Sequence, residues 1–228
     1  MKVRSRYESA APSRASRLFY GFVRAAVALV CRLLFRLEVH GRENIPPTGS
    51  FVLAPGAHRS NLETPFAACI TRRRMRFMGK DSLWKYGFSA WLLSALGGYP
   101  VHRTGADREA LRLTMEIIDG GEPVVMFPEG TRGTGPKVGE MHDGPVYVAA
   151  RKQVPIVPVG MGGSERAMAP GKKLIRPTKV VIVVGEPIDP PPPTEAGRVP
   201  RKEVRAATDR LRDRIQELFD EAQARAGA

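Results

Sequence analysis

The sequence predicts one α/β domain with a mostly parallel central sheet flanked by helices, and three observations carry that expectation. Short apolar runs of strand length alternate with longer segments of helical spacing between residues 50 and 184, the pattern of βαβ units. At 228 residues and 43% hydrophobic content, the chain can bury a sizeable core, which excludes a wholly disordered basic tail. No internal repeat is visible, and Pro190 to Pro193 ends the alternation as an extended linker ahead of a final helix.

The first element is Arg14 to Leu37, whose apolar run is interrupted by Arg17, Arg24, Arg32 and Arg36. Its longest uncharged stretch, Ala25 to Cys31, is too short for the ~20 residues of a spanning helix. No cleavage site of a secretory signal follows. At about 100° per residue the five arginines, from Arg14 to Arg36, share one arc with Gly21, Ala25 and Ala28. Leu18, Phe22, Leu29, Leu33 and other large apolar residues fill the opposite arc, with Phe35 the bulky exception. That pattern suits a helix lying in the headgroup layer of an anionic leaflet. An amphipathic helix packed on a core with solvated arginines shows the same pattern.

The core elements follow. Ser50 to Pro55 reads as a buried strand leading into a loop, and Leu62 to Ile70 as a helix start with Asn61 at its N-cap. Arg76 to Met78 is a short strand, Phe88 to Leu96 an apolar helix, and Gly97 to Arg103 a loop. Ala106 to Asp119 is a helix stopped by Gly120 and Gly121. Val124 to Phe127, Ile156 to Val159 and Lys179 to Val184 are strands. Lys202 to Ala224 is a helix with Val204, Leu211, Ile215, Leu218 and Phe219 on one side. The expected organisation is a basic amphipathic segment at 1–40, an α/β core at 41–190, and a proline-rich linker with a helix packed on the core at 191–228.

Lysine and arginine number 36 against 23 acidic residues, a net charge of +13 that calls for an anionic partner. Aromatic residues make up 7% and concentrate in apolar runs, and RNA-binding aromatic strings are absent, so the charge does not read as nucleic-acid recognition. Cys31 and Cys69 lack CxxC spacing, which argues against a disulfide scaffold or a zinc cluster. Gly130 to Lys137 departs from a phosphate loop at Pro136 and Val138. No G-x-S-x-G elbow is present, since Ser164 lies in a Gly-Gly-Ser-Glu-Arg run.

His58 directly follows the first core strand, where α/β folds place functional groups. Glu63 stands five residues on. A turn between them brings the carboxylate to one imidazole nitrogen and leaves the other to accept a proton, the base-and-orienter arrangement of acyl transfer. The spacing by itself more often belongs to two surface residues. At a second strand end, Glu129 and Arg132 bracket Gly130 and Thr131; glycine permits positive φ, and the arginine suits a phosphate. Arg103 closes a third loop and Lys80 stands near a fourth, with Arg72, Arg73, Arg74 and Arg76 clustered beside it.

In order along the chain, His58-Arg-Ser-Asn-Leu-Glu63, Gly98-Tyr-Pro-Val-His-Arg103, Phe127-Pro-Glu-Gly-Thr-Arg132 and Val154-Pro-Ile-Val-Pro158 resemble four segments of the glycerolipid acyltransferases, specifically the lysophosphatidic acid acyltransferases of PlsC type. Lys80 with Leu83 resembles the family's lysine segment, and the likeness covers about residues 40 to 190. The resemblance implies that His58 and Glu63 are catalytic. His58 would be the general base on the free hydroxyl of lysophosphatidic acid, attacking a thioester of acyl-CoA or acyl carrier protein to give phosphatidic acid. It implies that Lys80, Arg103 and Arg132 hold phosphate and that Glu129, Gly130 and Thr131 shape the acceptor site. It calls for no metal or cofactor. Glycerol 3-phosphate or another lysophospholipid is the alternative acceptor, and a basic membrane- or nucleic-acid-binding protein the alternative without catalysis. The partners expected are a thioester donor, a lysophospholipid and an anionic membrane surface, with no nucleic acid, at the cytoplasmic face of the cell membrane. Two departures stand out. Glu63 replaces the family's usual Asp, and Met141-His-Asp-Gly144 replaces its lysine-containing turn.

Overall fold

The structure is a computed structural model that describes residues 14–101, 108–172 and 174–228. A long helix, α1 (Arg14–Phe35), leads into a short strand, β1 (Glu38–His40). The core then runs β2 (Val52–Pro55), α2 (Glu63–Ala68), β3 (Arg76–Lys80), α3 (Gly87–Ala95), β4 (Gly98–Val101), α4 (Arg108–Asp119) and β5 (Val124–Val125). It continues with α5 (Gly144–Lys152), β6 (Ile156–Gly162), α6 (Ser164–Ala167), β7 (Val181–Val184) and α7 (Arg201–Ala226). Among the described residues the strands form one sheet in the order β1-β7-β6-β2-β5-β3-β4. Neighbours run parallel except for the antiparallel pair β6 and β7. The mostly parallel sheet expected from the βαβ alternation is therefore present.

β2 sits at the centre, and its apolar run is buried at every position, as strands covered on both faces are. Its side chains alternate between two cores. Leu53 packs with Cys31, Phe35, Phe66 and Ile70 of the α1 and α2 layer. Val52 and Ala54 pack with Ile117, Val146, Ala149, Leu211 and Ile215 of the α4, α5 and α7 layer. The side of α7 expected to be apolar is the one that is buried. It approaches β6 very closely: a Cβ on Gly160 or Gly162 would lie 2.3 Å from the Leu218 backbone or 2.2 Å from the Ala222 carbonyl. Glycine at both positions is what lets a helix backbone rest on the sheet.

Several boundaries and elements differ from expectation. β1 was not anticipated, and Gly98 to Val101, read as loop, is a strand at the sheet edge. Pro100 is tolerated there because an edge strand leaves one row of backbone groups unpaired. Leu62, not Asn61, caps α2, and it makes no side-chain capping bond. The Arg72–Arg76 cluster is largely committed internally. Arg73 donates to the carbonyls of Pro46 and Gly49, while Arg74 and Arg76 pair with Glu122 at 2.9 and 2.6 Å. Arg72 remains exposed.

α1 packs on the core through Tyr20, Cys31 and Phe35, so the bulky exception on the basic arc is a core contact. Its opposite side exposes Leu18, Phe22, Leu29, Val30 and Leu33. The stretch Arg17–Phe35 has a mean hydropathy of 1.9 and is long and apolar enough to cross a membrane by length and composition alone, contrary to the expectation from its arginines. α3 buries no side chain and presents Phe88 and Trp91 to the exterior. Phe19 of α1 meets Trp91 at 5.4 Å between ring centroids, which joins the two outward faces into one apolar surface.

Candidate active site

The sheet topology gathers the sequence candidates at one edge. β2, β5, β3 and β4 are consecutive parallel neighbours, so the segments after them leave from the same end, where α/β sheets bind ligands. His58 follows β2, Lys80 ends β3, and Phe127 to Arg132 follows β5. Arg103 follows β4 in sequence and lies outside the described residues.

The chain leaves β2 through Gly56, where any Cβ would lie 2.2 Å from Ile215 of α7. Ala57 follows with φ of +56°, a left-handed conformation that costs a non-glycine residue roughly 1 kcal/mol. Packing against α7 thus requires glycine at the strand exit. The His58 peptide is then gripped on both sides by the loop after β5. Its N–H donates to Glu129 Oε1 at 2.9 Å, and its carbonyl accepts from the Gly133 N–H at 2.8 Å.

Glu63 opens α2 and is fully buried. Its Oε2 accepts a short hydrogen bond from His58 Nδ1. Its Oε1 accepts from the Arg59 N–H at 2.9 Å and from Ser164 Oγ at 2.6 Å. An ionised carboxylate only accepts, so Nδ1 supplies the proton of this bond, and in the neutral ring that tautomer leaves the lone pair on Nε2. The His58 side chain keeps 17% of its surface exposed, and its ring lies against Phe127 at 4.4 Å between centroids. The extra methylene of Glu63 is accommodated, because a carboxylate with three side-chain rotors is pinned through both oxygens.

Glu129 is buried with each oxygen engaged by a backbone N–H, from His58 and from Gly139 at 2.9 Å. It ties loops together through both of its oxygens. Gly130 has φ of +66°, and a side chain there would meet the His142 ring at 3.1 Å. The Met141-His-Asp-Gly144 turn therefore packs under the loop, fixed by a 2.9 Å bond from the His142 N–H to the Pro128 carbonyl. Thr131, Arg132 and Lys80 are exposed, and Arg132 Nη1 donates to Asn61 Oδ1. Asn61 is thus a bridge between two motifs.

Two residues of the site were not among the sequence candidates. Arg59 is 1% exposed. It donates to the carbonyls of Gly135 and Lys137 at 3.2 and 2.5 Å, and its Nη1 stands 3.7 Å from Glu129 Oε2. Ser164 reaches Glu63 from the end of β6, 101 positions away. The signal for Ser164 was its place just beyond an apolar strand; Arg59 had none beyond adjacency to His58.

The model of the Acyltransferase family matches residues 36–162, more than half of the chain, and contains the His58 and Glu129 loops. The 1-acyl-sn-glycerol-3-phosphate acyltransferase of Bacillus subtilis is 27% identical over 201 residues, covering 87% of this chain and 96% of its own. The enzyme of the same name from Chlamydomonas reinhardtii is 29% identical over 159 residues, and there the match spans 48% of the relative's length. The crystal structure of the 1-acyl-sn-glycerophosphate acyltransferase PlsC from Thermotoga maritima superposes with a TM-score of 0.71 at 24% identity, over 91% of this chain and 84% of that one. The fold is that of PlsC, and the chain belongs to the acyltransferase family.

Proposed function

We propose that this chain acylates the free hydroxyl of lysophosphatidic acid to give phosphatidic acid, with acyl-CoA or acyl carrier protein as thioester donor. The observation that carries the reading is the His58–Glu63 pair, held through Nδ1 at the end of a parallel sheet where ligands bind. His58 Nε2 takes the acceptor hydroxyl proton as that oxygen attacks the thioester carbonyl. The tetrahedral centre collapses, the C–S bond breaks, and the imidazolium returns its proton to the departing thiolate. No acyl-enzyme forms. Buried Glu63 holds the ring and stabilises the imidazolium while it exists.

Arg132, Lys80 and Arg103 supply cationic contacts for the acceptor phosphate, and Gly130 and Thr131 form the floor of that subsite. Glu129 acts on the acceptor indirectly, by holding the loops that carry His58 and Arg132. The enzyme docks on the cytoplasmic face of the cell membrane through the joined outer faces of α1 and α3, which brings a lipid acceptor to the site without full desolvation. No metal or organic cofactor enters this scheme.

The test is acyl transfer measured by mass spectrometry across lysophosphatidic acid, glycerol 3-phosphate and larger lysophospholipids, with both donor carriers. His58→Ala is expected to lower kcat/KM about 10²- to 10⁴-fold, the range for loss of a positioned base, with unchanged circular dichroism. Near-parental transfer by that variant refutes the mechanism. Preference for glycerol 3-phosphate refutes the acceptor assignment alone.

A further inference from the structure

We propose that Ser164 is a positioning residue of the His58–Glu63 pair, a third member that sets the carboxylate plane and tunes the basicity of the imidazole. The proposal rests on the reading of His58 as general base. β6 runs parallel to β2 with Val159 opposite Pro55, so the two strands deliver their following residues to the same edge. The turn after β6 is held on two sides. Gly163 has φ of +80° and would clash with the Lys179 carbonyl at 2.3 Å if it carried a Cβ, and its N–H donates to Gln223 Oε1 at 2.8 Å. Ser164 emerges from that turn 1% exposed, with its hydroxyl donating to Glu63 Oε1 at 2.6 Å.

The hydroxyl and the Arg59 N–H share Oε1, which leaves Oε2 to His58. The backbone donor belongs to the same loop as His58 and moves with it. Ser164 opens α6 just beyond β6, so it supplies a reference outside that loop. A glutamate has one more rotor than the aspartate usual in this motif, and a lateral bond from a rigid second element is what removes that freedom. The hydroxyl also draws charge from the carboxylate. Without it, more negative charge faces the ring, the imidazolium is favoured, and the pH at which His58 becomes neutral rises.

The test is a set of kinetic measurements on the full chain with lysophosphatidic acid and acyl-CoA. Ser164→Ala is expected to lower kcat roughly 10-fold, as loss of a hydrogen bond to a charged group does. KM for the acceptor should change less than about twofold, and the acid limb of the kcat/KM profile should move to higher pH. Ser164→Cys, near in size with a weak donor, should fall between Ala and the parent. In a Glu63→Asp background, where the shorter carboxylate is drawn back from Ser164, the Ser164→Ala change should cost less than about twofold. Parental kcat and an unmoved acid limb in Ser164→Ala, with His58→Ala inactive, overturn the role of Ser164 and leave the base in place. A loss that is additive with Glu63→Asp and appears equally in thermal stability also overturns it, since that marks a packing role. Near-parental activity of His58→Ala overturns both readings together.

Discussion

Arg59 is an arginine almost without solvent contact, one position beyond the proposed base, and its guanidinium is spent on holding a neighbouring loop. It anchors the Gly135 and Lys137 carbonyls and approaches Glu129, which in turn grips the His58 N–H. Removing one member of a buried ion pair typically costs 3 to 5 kcal/mol because the remaining charge is left uncompensated. Arg59→Met, which keeps volume and loses charge, is expected to lower stability by about 3 kcal/mol, roughly 6 to 12 °C in Tm for a chain of this size. It should also lower kcat while leaving donor KM near parental. A Tm within about 2 °C of the parent, by calorimetry, rejects that role. At this scale the sequence exposed the residues that form compact local motifs: His58, Glu63 and Glu129 through Arg132. It did not mark Arg59 or Ser164 as site members, because each acquires its role from partners brought near by the sheet. Ser164 and Glu63 are 101 positions apart, and Arg59 and Lys137 are 78 apart.

Legibility of the elements tracked the composition of each run. β2, β6 and β7 are apolar at successive positions because both faces are covered, and their runs stood out in the sequence. β1 and β4 lie at the two sheet edges and carry polar or loop-forming residues such as Glu38, His40, Gly98 and Pro100, so period and composition gave no strand pattern. α7 makes the opposite case. Its apolar side was evident, but the reason it docks so closely lies in glycines of another element. Gly162→Ala would place a carbon 2.2 Å from the Ala222 carbonyl, backbone that cannot swing away. Overpacking of this kind costs about 1 to 3 kcal/mol or more. Gly87→Ala, in α3, adds a carbon that meets nothing within 4 Å and serves as the comparison. The expected result is a clearly lower denaturant midpoint for Gly162→Ala than for Gly87→Ala, with faster proteolysis of α7. Equal midpoints contradict direct seating of α7 on β6.

At the scale of the whole molecule, part of the net charge of +13 is gathered in one place. Arg24 and Arg32 of α1 converge with Arg42 and Arg72 around a small pocket whose described lining contains no carboxylate. Two of these guanidiniums are steered by carbonyls: Arg24 by Thr71 at 3.5 Å and Arg42 by Cys69 at 3.3 Å. Partial burial, then the charges of Arg32, Arg24 and Arg72, hold Arg42 below its ordinary pKa. The pocket includes Leu29, one of the exposed apolar residues of α1, so charge and apolar surface meet at one margin. A bilayer with anionic headgroups satisfies both, the charges through the surface potential and the apolar face through burial in the headgroup boundary. Sedimentation with vesicles should therefore show two separable contributions. Binding to vesicles containing phosphatidic acid should exceed binding to neutral phosphatidylcholine and weaken as salt rises from 0.05 to 0.5 M, the range over which the Debye length falls from about 14 to 4 Å. The combined change Arg32→Glu and Arg72→Glu should remove most of that salt-sensitive part. Phe22→Ser with Trp91→Ser should instead weaken binding to both vesicle types with the salt slope retained. Salt-independent binding by the parent chain, or an arginine variant indistinguishable from it, rules out the basic margin as the lipid-facing side and leaves the apolar face of α1 and α3 to account for docking.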